Sequence, residues 1–236
     1  MIAYHRVMSD RDAEKKAAAL AAAMTVTDGM RVGLGSGSTA ARAVRALGER
    51  VRAGLRIEAV PTSIATRDLA TQEGIPLVAL GETALDLTID GADEVDARLR
   101  MIKGGGGALL REKIVAHASK RVVIVVDSAK VSASLGALPL PLEVLPFAIP
   151  FVLRALRELG RPGAIRHAAG GTPSVTDQGN QLIDCAPAPI ADPEALARAL
   201  ADIPGVLAHG LFLGEASVVL VGQADGSVRE LPAVRS

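Results

Sequence analysis

Apolar positions along the chain recur alternately at helical and at strand spacing, and this alternation defines the expected architecture. Ala13, Ala17, Leu20, Ala21 and Met24 share one helical face, after a start marked by Ser9 and Asp12 as a capping box. Met30 to Leu34 then reads as a strand, and Ala40, Ala43, Val44, Leu47 and Val51 restore the helical stripe. A strand near Ile57 to Val60 and a helix after Ser63, closed by Gly74, follow. Leu77 to Leu80, Leu85 to Ile89 and Val122 to Val126 are short apolar runs without polar alternation, as expected for strands of a mainly parallel sheet covered on both faces. The pattern predicts a doubly wound α/β domain.

Near Leu138 the pattern breaks. The stretch LPLPLEVLPF brings Pro139, Pro141 and Pro146 together and is read as a domain crossing. Beyond it, Ile149 to Leu159 is an expected helix, Thr176 to Asn180 a turn feeding the strand Gln181 to Cys185, and Asp192-Pro193 the start of another helix. Residues 217–222 and 228–231, joined at Asp225-Gly226, read as a hairpin returning to the first domain. The expected division is residues 1–138 with 211–236 as a catalytic domain, and 139–210 as a small α+β domain.

Composition narrows the functional classes. The 26 basic and 26 acidic residues cancel, so no global field would recruit nucleic acid or an anionic membrane. No run of about 18 apolar residues suggests a membrane span. Aromatic residues make up 2% of the chain, which argues against stacking platforms for bases. Cys185 is the only cysteine, so no internal disulfide forms, and a cytoplasmic protein without a targeting segment is the expectation.

Three glycine-bearing segments carry candidate chemistry. Gly33 to Thr39, GLGSGST, stands where a strand should pass into a helix, so that freed amides, the hydroxyls of Ser36, Ser38 and Thr39 and the helix end form an anion cradle. It is not a dinucleotide fingerprint, because Ser38 stands where the third glycine would be. A plain capped turn is the competing reading. Asp86 to Asp96 ends another strand with several carboxylates, of which Asp90 and Asp93 are the candidates to face a crevice. That run could equally be a solvated acidic turn. Lys103 to Lys113, KGGGGALLREK, places four glycines between a lysine and Glu112, which reads either as a base beside an anion site or as a surface helix carboxylate. Each segment follows an expected parallel strand, as does Lys130 after Val122 to Val126, and this coincidence favours one shared crevice.

Taken in order, GLGSGSTA, IDGADEVD, KGGGGALLREKI, DSAK, LPLEVLPFA and TDQGN resemble the type A ribose-5-phosphate isomerases over nearly the whole chain. The resemblance implies a Rossmann-like domain joined to a ferredoxin-like one. It also implies interconversion of D-ribose 5-phosphate and D-ribulose 5-phosphate in the non-oxidative pentose phosphate pathway, with no metal or other cofactor, in a homodimer or homotetramer. Substrate contacts are implied for Ser36, Gly37, Ser38, Thr39, Asp90, Gly91, Ala92, Asp93, Lys103, Gly104, Gly105, Gly106 and Lys130. Glu112 is implied as the proton acceptor, and Asp90, Asp93 and Lys130 join it as candidate catalytic residues. The chain departs from the family pattern modestly: Gly107 lengthens the glycine run, Leu110 replaces a threonine, and DSAK exchanges two residues of the usual order. Two rivals share such a phosphate loop. One is the sugar-sensing domain of bacterial repressors, disfavoured because no helix-turn-helix unit fits before Met30. The other comprises enzymes of amino-sugar phosphates or phosphogluconolactone, which would require a catalytic histidine. His5, His117, His167 and His209 all lie outside the glycine-rich segments.

Overall fold

The computed structural model describes the backbone of residues 2–232 and the side chains of residues 11–231. Met1, residues 233–236 and the Ser9 side chain of the expected capping box lie outside the described residues. In chain order the elements are α1 (Ile2–Met24), β1 (Arg31–Leu34), α2 (Ser38–Arg52), β2 (Glu58–Pro61), α3 (Ile64–Gln72), β3 (Leu87–Asp90), β4 (Glu94–Val95), β5 (Met101–Ile102), α4 (Leu109–His117) and β6 (Val122–Asp127). Then come β7 (Leu140–Val144), α5 (Ile149–Glu158), β8 (Gly163–Ile165), β9 (Gln181–Cys185), α6 (Pro193–Ala201), β10 (Val206–His209), β11 (Leu211–Phe212), β12 (Val218–Gly222) and β13 (Val228–Pro232).

Six strands form the main sheet in the order β13-β12-β6-β3-β1-β2. All neighbours are parallel except the β12–β13 hairpin at the edge. The apolar run of β6 is explained by two-sided burial. Val123 and Val125 pack with α1 and α2 on one face, while Val122, Ile124 and Val126 pack with Met101 and Phe212 on the other. Strand order reverses at β1, which has β2 on one side and β3 on the other. The crevice beyond the carboxyl ends of β1 and β3 is therefore the natural ligand position.

A second sheet, β10-β7-β9-β8, is antiparallel throughout. With α5 and α6 as crossovers its chain order is βαββαβ, which is the ferredoxin-like arrangement. Cys185 is packed in its core, where burial raises the thiol pKa to about 11. A third, three-stranded sheet, β11-β5-β4, joins two short strands that follow β3 to β11, which follows β10 of the small sheet.

Four expectations are corrected. First, α1 begins at Ile2, so Ser9 lies inside the helix. Second, α1 buries Glu14, Ala18, Ala19, Ala22 and Ala23, leaving Leu20 and Met24 exposed. Its alanine-rich sequence carries no decisive periodicity, and the close approach of helix to sheet selects the smallest side chains. A Cβ on Gly222 of β12 would lie 1.9 Å from the Glu14 carbonyl oxygen. Third, of residues 77–80 only Leu77 pairs, through one bridge to Ala59 at the sheet edge, because Ala79 and Leu80 face solvent. Fourth, the proline-rich break contains β7, an inner strand of the small sheet. Pro141 is tolerated there because its carbonyl faces the β10 side, accepting from Gly210 N–H at 2.7 Å. Its missing N–H falls beyond His209, the last paired residue of β10.

Candidate active site

The loop after β1 begins the site. Gly37 has φ of +95°, a conformation glycine adopts without penalty, and it stands as the N-cap of α2 with no side chain to occupy the helix's free N–H groups. The positive end of α2 is thus open at Ser38 and Thr39, as an anion site requires. Ser36 borders the cavity and also ties the loop down. Its Oγ lies 2.8 Å from both Thr62 Oγ1 and Ser63 Oγ, and its N–H donates to Asp90 Oδ1 at 3.1 Å. Both donors hold the loop to the protein.

Asp90, the last residue of β3, is buried behind the cavity wall. One carboxylate oxygen accepts from the N–H groups of Ser36 and Gly91, and the other lies 3.0 Å from Lys103 Nζ. Lys103 is buried too and donates to the Gly91 carbonyl. Burial alone would lower the lysine pKa, but the charges of Asp90 and Glu112 outweigh it and hold the ammonium well above its ordinary value.

Glu112 lies in the first turn of α4, and its side chain is only 6% exposed. Its Oε2 is 3.4 Å from Lys103 Nζ and has no hydrogen-bond partner among the described residues. Desolvation, reinforced by the Asp90 charge, pushes its pKa up to about 8, and Lys103 offsets this only in part. A buried carboxylate with an unpartnered oxygen, bordering a cavity, is suited to accept a proton.

The glycine run leaves β5, an antiparallel strand of the three-stranded sheet, and not a strand of the parallel sheet as expected. Gly107 N–H closes the loop on Gly104 O, and Gly105 N–H donates to Asp93 Oδ2 at 2.8 Å. The N–H groups of Gly104 and Gly106 have no partner among the described residues. A cavity of about 130 Å³ is enclosed by this loop, Gly37 to Thr39, Gly91 to Asp93, Glu112 and Lys130.

Lys130 ends a short 3₁₀ turn, Ser128–Lys130, that follows β6. The turn is held by Glu14 of α1, whose Oε2 accepts from both the N–H and the hydroxyl of Ser128 at 2.8 Å. The serine of DSAK is thereby engaged away from the cavity. Lys15, next to Glu14, lines the same cavity, with its Nζ 3.9 Å from Asp127 Oδ2. Sequence reasoning missed Lys15, because a lysine in an alanine-rich helix carries no local signal. It also missed Arg166, which arrives from the small sheet and borders a larger cleft of about 600 Å³ outside the cavity. The two spaces share Ser36, Gly37, Ser38 and Gly106. Among the histidines, His209 is half-buried beside Lys113, and desolvation followed by the Lys113 charge lowers its pKa to about 4.

A parallel sheet with a buried carboxylate–lysine cluster at its switch point, facing two further lysines and an open helix end, defines an α/β enzyme for a small anionic substrate. Residues 58–226 match the family model described as ribose 5-phosphate isomerase A (phosphoriboisomerase A). The chain belongs to that family. It is 54% identical over 219 residues to ribose-5-phosphate isomerase A of Sphingopyxis alaskensis, covering 92% of this chain and 96% of the relative. The relative from Methylorubrum extorquens is 53% identical over 219 residues, with coverage of 90% and 93%. Among solved structures, ribose 5-phosphate isomerase A from Methanocaldococcus jannaschii superposes with a TM-score of 0.89 at 41% identity, covering 92% of this chain and 97% of that one. A D-ribose-5-phosphate isomerase in complex with phospho-erythronic acid gives a TM-score of 0.89 at 37% identity, with the same coverage.

Proposed function

We propose that this protein interconverts D-ribose 5-phosphate and D-ribulose 5-phosphate through an enediolate, with Glu112 moving the proton between the two carbons. The observation that carries this reading is the unpartnered Oε2 of Glu112, buried at the cavity wall with a raised pKa. In the aldose-to-ketose direction the carboxylate takes the proton from C2 of the open-chain sugar. The C2–H electrons become the C1–C2 double bond, and the carbonyl electrons move to O1. O1 gains a proton as O2 loses one, and Glu112 returns its proton to C1. The negative charge that develops at oxygen is stabilised by the Lys103 ammonium and the free glycine N–H groups, which need no reorganisation because the protein already holds them in place.

The phosphate is assigned to the opposite end, at the open N-terminus of α2 between Lys15 and Lys130. Asp90 acts from behind the wall by fixing the loop and Lys103, while Asp93, at the cavity, orients hydroxyls and assists ring opening. The phospho-erythronic acid held by a solved relative has a carboxylate at one end and a phosphate at the other, which matches these two poles. The reading carries with it a cytoplasmic homodimer or homotetramer acting without metal or other cofactor, in which the small antiparallel unit, set at residues 139–210, supports the glycine loop. Among the described residues no helix is long and apolar enough to cross a membrane.

A coupled assay offering ribose 5-phosphate, glucosamine 6-phosphate and phosphogluconolactone in parallel tests the reading. Turnover of the first alone is expected, whereas turnover of either of the others without the first would overturn it.

A further inference from the structure

Arg166 reaches the glycine loop from the far side of the chain fold. It follows β8, and its half-buried guanidinium forms a fork on Asp184 of β9, with Nε 2.7 Å from Oδ2 and Nη2 on Oδ1. The remaining nitrogen, Nη1, turns away from Asp184 and bridges two carbonyl oxygens, those of Gly104 and Gly105, each at 3.0 Å. Nothing in a run of four glycines prefers one peptide orientation over another, so such a loop is ordered only by what holds it.

The consequence follows from the planarity of the peptide. In a trans peptide the C=O of one residue and the N–H of the next point in opposite directions. The Gly104–Gly105 peptide displays this directly: Gly104 O accepts from Arg166 while Gly105 N–H donates to Asp93 Oδ2 on the other side. In the next peptide Gly105 O is held by the same Arg166 nitrogen, so Gly106 N–H must point away from Arg166, and Gly106 lines the inner cavity that Asp93 also borders. We propose that Arg166 is a positioning residue for the isomerisation: by pinning the Gly104 and Gly105 carbonyls it aims the Gly106 N–H at the oxyanion of the intermediate. The inference rests on the isomerase reading, and it assigns the small sheet a part in the chemistry.

Three variants, Arg166→Lys, Arg166→Ala and Asp184→Asn, test the proposal. A lysine ammonium cannot both fork Asp184 and bridge the carbonyls, so Arg166→Lys should melt close to the parent protein yet lose kcat. The expected loss is roughly 10- to 100-fold in kcat with KM changed by no more than about threefold, since the donor acts on the developing charge and not on the phosphate. Asp184→Asn should show a smaller loss in the same parameter. Guanidinium at non-denaturing concentration should restore part of the kcat of Arg166→Ala while leaving the parent protein unimproved. Unchanged kcat in Arg166→Lys, a loss confined to KM, or absence of rescue in a folded Arg166→Ala would each overturn the proposal. If the alanine variant does not fold, the kcat of the lysine variant decides. Glu112→Gln separates this inference from the reading beneath it. If that variant is inactive while Arg166→Lys is fully active, only the present proposal falls; if Glu112→Gln is fully active, both fall.

Discussion

Lys103 Nζ forms an ion pair with Glu112 Oε2 at 3.4 Å without hydrogen-bond geometry, while the same ammonium sits closer to Asp90 at 3.0 Å. The lysine therefore leans on the aspartate, and the glutamate keeps a free lone pair beside a fixed positive charge. Replacing Glu112 by glutamine preserves shape and removes the base. Glu112→Gln is expected to fold and bind substrate normally while kcat drops by roughly 10²-fold or more. Single-turnover and steady-state measurements check it, and near-parental turnover would remove Glu112 from the mechanism.

The raised pKa of Glu112 has a signed pH consequence. The base works only when ionised, so the acid limb of kcat/KM should fall around pH 8, well above the ordinary carboxylate value of 4.5. Asp90 raises that pKa, so Asp90→Asn should move the limb to lower pH, and Lys103→Met should move it higher. Stability follows the same group. A carboxyl whose folded pKa is raised contributes stability fully below its unfolded pKa, and loses it as pH rises through the folded value. Glu112→Gln should therefore melt above the parent protein at pH 9, with the gap closing on acidification towards pH 4.5. A gap of constant size across that range would contradict the assignment.

Lys15 and Lys130 should act on affinity for the phosphate. Lys130→Ala and Lys15→Ala are each expected to raise KM for the sugar phosphate by roughly tenfold at low salt, with Lys130→Ala also slowing turnover and with the KM difference from the parent shrinking as salt screens the parent's lysines. Inhibition by inorganic phosphate should weaken in step. An unchanged KM and phosphate inhibition in both variants would place the phosphate elsewhere.

Two glycines make opposite predictions. A Cβ on Gly35 would lie 2.1 Å from Asp90 Oδ1 and 2.5 Å from the Asp90 Cα, so Gly35→Ala must displace the backbone that carries the site. It is expected to cost about 1–3 kcal/mol of stability and most of the activity. Gly106 meets nothing within 4 Å, so Gly106→Ala should melt within about 0.5 kcal/mol of the parent. Thermal melts of the pair, run together, check the contrast.

The sequence by itself determined the doubly wound α/β plan, the apolar strands β1, β2, β3 and β6 of its main sheet and the identity of the glycine-bearing loops. These are legible because they depend on local rules. Burial on both faces demands a continuous apolar run such as Val122 to Val126, and a helix N-terminus that binds an anion demands small residues such as Gly37 and Ser38. The alanine face of α1, the solitary pairing at Leu77 and the strand hidden in the proline-rich break were not legible, because each was decided by what packed against it. The same division runs through the site. Glu112 and Lys103 stand in one recognisable motif, but the burial that lifts the glutamate pKa exists only once β3, β5 and α4 converge. Ser36 reads as a ligand donor in the sequence, and only the fold shows that it also ties its loop to Thr62, Ser63 and Asp90 while bordering the cavity. Lys15 and Arg166 carry no local signal, since each is an ordinary basic residue far along the chain from the loops it meets. Long-range geometry alone brings them to the cavity and to the backbone around it.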